Sequence, residues 1–225
     1  MAKQMMQPLI PSLISVLDAE SRPDISYYIA TMISNTFRKK VLLIDNSEHA
    51  VLYNAVPNSH TGEIKKDGML YIMTGVDYSP EFMSRFDTCI CYHGKYASSP
   101  LWDKSDFHLV LTGYMPDAFE RLRYGSNNPI ASLNLDKDFV FFLDHVTNKV
   151  SAENILKKEN LLTSDKCIPY VEIPLDETDR ICMLSLLYNG YQDPKSAGKE
   201  LYSAITGFIS VITHIPLSQL KKIRR

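Results

Sequence analysis

Short apolar runs alternating with helix-length segments constrain this chain more than any other feature. Leu13 to Leu17 (LISVL) is apolar and bounded by polar residues, the signature of a strand buried on both faces. Ile25 to Phe37 follows, with Ile25, Ile29, Met32, Ile33 and Phe37 at helical spacing, Asp24 placed to cap the helix and Pro23 just ahead of it. Val41 to Ile44 (VLLI) is a second buried strand. A strand–helix–strand run of this kind is the unit of a parallel sheet. Further strands are expected at Leu70 to Thr74, Thr88 to Tyr92, His108 to Thr112, Phe139 to Leu143 and Tyr170 to Ile173. Helices are expected at Met115 to Tyr124, Ala152 to Glu159, Arg180 to Leu187 and Ser196 to Ile212. Asn54 to Asp67 and Tyr124 to Leu135 read as polar loops. There is no internal repeat and no linker-like stretch. The expectation is one α/β domain over residues 1–225, a doubly wound, mostly parallel sheet with helices on both faces. Residues 213–225 are expected to form a basic tail.

Composition excludes several classes. At 225 residues, 45% hydrophobic and 22% charged, the chain can bury a sizeable core. A net charge of −2 gives no general affinity for nucleic acid, and the basic pairs (Lys39-Lys40, Lys65-Lys66, Lys157-Lys158) are scattered rather than striped. Four cysteines make no disulfide framework, so reduced thiols in a cytoplasmic protein are expected. Met1 to Gln7 does not read as a signal peptide, and no apolar run approaches the roughly 20 residues of a membrane span.

In doubly wound sheets, ligands bind beyond the carboxyl ends of the strands. Three loops lie there: Asp18-Ala19-Glu20-Ser21-Arg22-Pro23-Asp24, Cys91-Tyr92-His93-Gly94, and Asp144 to Lys149. Five segments in order resemble the MinD/ParA-type P-loop ATPases. LISVL with its loop, helix and KKVLLID is similar to the family's first strand, P-loop, helix and second strand. FDTCICYHG (Phe86 to Gly94) resembles the Walker B region, SDFHLVLTGYMPDAFERL (Ser105 to Leu122) the next strand and helix, and FVFFLDHVTNK (Phe139 to Lys149) the strand that ends in an adenine-reading Asn. The stretch from CIPYVEIPLD (Cys167 to Asp176) to Ile209 is similar to the family's carboxyl-terminal portion.

The departures fall on the residues that handle ATP. The family's KGGxGKT loop wraps phosphate with glycine-freed N–H groups and neutralises it with lysine. Here the loop has neither residue type. One alignment frame puts Glu20 at the family's signature lysine and Ile25 at the P-loop lysine; the other puts Arg22 or Pro23 there. Asp18, Glu20 and Asp24 set three carboxylates where polyphosphate would sit, and two like charges 4 Å apart repel by ~4 kcal/mol at an effective dielectric of 20. Pro23 removes a further donor. Asp45 matches the water-orienting Asp, but it can equally cap the following segment. Ser47 replaces the second acid, Tyr92 stands at the magnesium-linked Asp, and Asp144 stands at the Asn. The resemblance thus implies a degenerate nucleotide site made of Asp18, Glu20, Ser21, Arg22, Asp24, Ser26, Asp45 and Asp144, without ATP or magnesium as cofactor.

It also implies a function. Active members dimerise around ATP and dock on a surface or partner. A copy without the site keeps the docking surfaces and loses the switch. The expectation is a non-catalytic scaffold or localisation factor for a pilus, secretion or conjugation machine, as CpaE/TadZ-type members with degenerate P-loops are. It would act as a homodimer or as a heterodimer with a related ATPase. The alternative is an ATPase with an unorthodox loop, using Arg22 for phosphate and Asp45 for metal or water. Expected partner anchors are Tyr27, Tyr28, Tyr92 and Trp102. Cys89, Cys91 and His93 alternate along one strand face, a pattern that suits either a metal or small buried side chains. Asp144, His145 and Ser151 hint at a hydrolytic set but lack a nucleophile elbow. The tail, Lys221-Lys222-Ile223-Arg224-Arg225 after Pro216, would give weak membrane-surface contact at most.

Overall fold

The computed structural model describes residues 9–55, 64–74, 79–95, 100–115, 117–123, 137–145, 150–163, 168–190 and 192–223. Its centre is one eight-stranded sheet: β1 Leu13–Asp18, β2 Val41–Asp45, β3 Ile64–Asp67, β4 Leu70–Thr74, β5 Thr88–Tyr92, β6 Phe107–Thr112, β7 Asp138–His145 and β8 Tyr170–Pro174. The strand order is β3-β4-β2-β5-β1-β6-β7-β8. Seven strands run parallel, and β3 pairs antiparallel with β4 at one edge. All seven expected strands are present. The eighth, β3, falls inside the stretch read as a polar loop. Its signal was Asp67-Gly68, with Gly68 at φ +58° in the turn to β4.

Period-two alternation sends successive side chains of each strand to opposite faces. Ile14, Val16, Leu43, Ile90, Leu109 and Phe141 share one core with helices α1 (Pro23–Phe37), α7 (Glu177–Asn189), α8 (Lys199–Ile212) and α9 (Leu217–Ile223). Leu17, Val110, Val140 and Phe142 face the other way, onto α5 (Ala118–Arg123) and α6 (Ala152–Lys158). Leu42, Ile44, Cys89 and Cys91 extend that second face. Three short helices, α2 (Val51–Ala55), α3 (Pro80–Met83) and α4 (Pro100–Asp103), were not expected, being too short to show a period. α7 is longer at both ends than expected, and α8 starts three residues later. Pro194–Ser196 form a separate 3-10 turn, and Gly198 occupies the N-cap of α8.

Two expectations are corrected here. Residues 213–220 are not a free tail: the chain resumes as α9 after Pro216, and Thr213, Ile215 and Leu220 are buried. The basic side chains beyond Leu220 lie outside the described residues. Nor are Tyr27, Tyr28, Tyr92 and Trp102 surface anchors, for all four are buried. Helix α1 is enclosed by the sheet, α2, α7 and α8, so its residues from Pro23 to Ser34 are all buried. Trp102 stacks on His108 with ring centroids 4.1 Å apart.

Candidate functional site

The β1–α1 loop starts between the carboxyl ends of β5 and β6. Asp18 N donates to Gly94 O (2.7 Å) and Ala19 N to Leu111 O (2.9 Å). The loop then folds around the side chain of Asp18. The amides of Glu20 and Arg22 donate to its two carboxylate oxygens, at 2.8 and 2.5 Å, and Tyr92 Oη donates at 2.8 Å from β5. Ser21, at the tip, takes φ +57° and is exposed. Asp18 is wholly buried. Burial raises its pKa to about 6; the bonds from Tyr92, Glu20 and Arg22 pull it back, and the charge on Asp24 adds to the rise.

Arg22 turns inward. Its Nε and Nη2 hold both oxygens of Asp24, at 2.9 and 2.8 Å, with the pair almost wholly buried. Burial disfavours the guanidinium charge, but Asp24, and more weakly Asp179 and Asp144, outweigh that and hold it protonated. Asp24 is therefore not a helix cap: Arg22 is at the N-cap without a side-chain bond, Pro23 opens the helix, and Asp24 is consumed by Arg22. Ser26, two residues beyond Asp24 on α1, is buried, and its Oγ has no partner among the described residues. Glu20 leaves the site sideways, to Arg121 of α5 at 3.0 Å. It lies over Gly113, where a Cβ would stand 2.8 Å from its carboxyl group.

The remaining predicted residues are also engaged. Asp45 accepts from Ser47 N (3.1 Å) and Ser47 Oγ (2.5 Å) on one oxygen, and from Leu52 N (2.6 Å) and Tyr53 N (3.0 Å) on the other. It thus caps α2, the second of the two roles open to it. Asp144, at φ +60°, pairs with Arg180 of α7. Ser151 caps α6 by accepting from Asn154 N at 3.3 Å, so Asp144 and Ser151 have separate tasks.

The Cys-x-Cys-x-His strand is a packing and hydrogen-bond feature. Ser105 Oγ donates to Leu101 O (2.8 Å) and so accepts from Ser15 Oγ (2.7 Å), which leaves Ser15 to accept from His93 Nε2–H (3.0 Å). Nδ1 of His93 is then the acceptor that faces Asn46 Nδ2 at 3.4 Å and Cys91 Sγ at 3.9 Å. Burial, then the neighbouring His108, lowers the His93 pKa to about 3, which keeps the ring neutral. Burial pushes Cys89 up to about 12. No group of three metal-ligating side chains occurs among the described residues.

The first turn of α7 joins the site, which the sequence did not announce. Asp176 caps α7 through Thr178 N (2.8 Å), and Asp179 accepts from Gly198 N (2.6 Å) at the start of α8. Gly198 allows this approach, since a Cβ there would lie 2.4 Å from Asp176 Oδ2. These acids are far from β1 in sequence, and no local pattern ties them to Arg22.

No family model and no curated protein matches the chain. Solved structures do. The ParA family ATPase of Chlorobium tepidum superposes with a TM-score of 0.64 at 14% identity, covering 89% of this chain and 98% of that one. MinD in the MinC:MinD cell division complex of Aquifex aeolicus gives 0.58 at 11%, covering 88% and 96%. The septum site-determining protein MinD of Pyrococcus horikoshii, complexed with Mg-ADP, gives 0.55 at 12%, covering 89% and 94%. The chain has the ParA/MinD P-loop ATPase fold over nearly its whole length. At these identities the likeness is one of fold, and function rests on the site.

Proposed function

We propose that this protein is a ParA/MinD-like pseudo-ATPase that neither binds nor hydrolyses ATP and works as a scaffold or localisation factor through protein–protein contacts. The observation that carries the reading is the internal use of two loop amides, the loop arginine and Asp45. Asp18 takes two of the loop's amides, Asp24 takes the one arginine, and α2 takes Asp45. A bound phosphate would have to displace a buried carboxylate, and magnesium would have to draw Asp45 from four donors. Hydrolysis needs cradle, metal and positioned water together. The rival ATPase reading relied on Arg22 and Asp45, and both are committed elsewhere.

The partner surface is better placed on α7 than on the four buried aromatics. Ile181, Leu184 and Tyr188 recur at i, i+3 and i+7 and stand 55%, 47% and 84% exposed. The opposite side of the same helix buries Cys182 and Leu186. A helix apolar on both sides is suited to packing between two bodies. A similarly folded MinD is found in complex with MinC, which supports a protein partner; a second copy of this chain or a related ATPase is the partner we assign to it. Positioning of a pilus, secretion or conjugation machine, in the manner of CpaE/TadZ-type proteins, at the inner face of the membrane, is the role we assign. Among the described residues no helix is long and apolar enough to cross a membrane.

Isothermal titration with ATP and ADP in the presence of magnesium tests the reading. The expected result is no heat at millimolar nucleotide. Micromolar, magnesium-dependent binding refutes it.

A further inference from the structure

The geometry points to Asp18 as a tethered anion: its carboxylate occupies the loop's anion position from within, and so holds the β1–α1 loop in its closed form with no ligand present. The inference rests on the pseudo-ATPase reading and deepens it. A lost site could have been open, with its amides turned to water. This one is filled.

Three observations carry it. The loop is only four residues long from Asp18 to Pro23, yet two of its amides, Glu20 and Arg22, converge on one side chain, as they would on an exogenous anion. Tyr92 stands where the resemblance places the magnesium-linked acid. Its hydroxyl, itself buried, reaches across from β5 to the same carboxylate at 2.8 Å. An acid at that position would repel Asp18; a phenol donates to it. Finally, Arg22 is not the counter-ion of Asp18. It is spent on Asp24, so the carboxylate is held by neutral donors, as bound anions are held by backbone amides.

Anion rescue of Asp18→Gly is the test. This variant removes the tether and leaves a space large enough to admit formate. The thermal midpoint is measured in sodium formate and in sodium chloride at equal ionic strength, for wild type and variant. The expected result is a formate-specific rise of about 3 °C or more in Asp18→Gly and none in wild type. A folded Asp18→Gly that ignores formate overturns the inference while leaving the pseudo-ATPase reading intact. Micromolar Mg-ATP binding by wild type overturns that reading instead. Should Asp18→Gly not fold, amide hydrogen exchange in wild type decides. Protection of the Glu20 and Arg22 amides at the level of β1 supports the tether, and exchange as fast as that of an open loop overturns it.

Discussion

Replacing Asp18 by Asn should make the protein more stable relative to wild type as pH rises, the reverse of what loss of a paired carboxylate usually does. The folded-state pKa of Asp18 is about 6, against 3.8 for an unperturbed Asp. The folded state therefore holds this proton more tightly than the unfolded chain. Well below pH 3.8 both states are protonated and ionisation costs nothing. Between pH 4 and 6 the unfolded chain releases the proton while the folded protein keeps it, so stability falls. Above pH 6 the loss is complete and constant. At about 1.4 kcal/mol per pH unit the total is about 3 kcal/mol. Asn cannot ionise, so the difference between variant and wild type should grow by most of that amount, about 2–2.5 kcal/mol, from pH 4 to pH 7. Urea unfolding of both proteins at pH 4, 5, 6 and 7 measures it. Asp87, where burial is the largest single effect and raises the pKa but the bonds from Lys40 and Lys39 and their charges together outweigh it and lower it, is common to both proteins and cancels in the comparison. A pH-independent difference, or one that shrinks with pH, would refute the reasoning.

Three further outcomes follow from the same contacts. Arg22→Met leaves Asp24 charged and buried without its partner and should cost about 3–5 kcal/mol by chemical denaturation, whereas Arg22→Met with Asp24→Leu should recover most of it. Asp45→Ala strips the cap from α2 and should cost about 1–2 kcal/mol, with faster amide exchange at Leu52 and Tyr53. Leu220→Ala should cost about 2–5 kcal/mol, because Leu220 is part of the main core; a change near zero would mean that α9 does not dock.

The sheet was legible because strands buried on both faces must be continuous apolar runs, and LISVL and VLLI can be little else. β3 was not, because an edge strand with two lysines looks like a loop, and only Asp67-Gly68 marked the hairpin. The absence of glycine and lysine from the β1–α1 loop was legible in the sequence. The contact across the sheet was not: that Tyr92 would reach Asp18 depends on strand order, which places β5 beside β1. The aromatic anchors were misplaced for a related reason. Tyr27 and Tyr28 lie on a helix enclosed on all sides, and periodicity alone cannot distinguish an enclosed helix from a surface one. The apolar face of α7 was hidden because the helix is apolar on two sides and shows little contrast between them.

A loop tied to its own chain cannot sense the ratio of ATP to ADP. In a protein that assembles when nucleotide binds, the cell sets the assembled fraction through its energy charge. On the pseudo-ATPase reading proposed above, Asp18 closes the loop whether the cell is fed or starved. On that reading, any assembly of this chain is governed by mass action alone, by protomer concentration against Kd. The quantity under control becomes dosage, set by how fast the chain is made and removed.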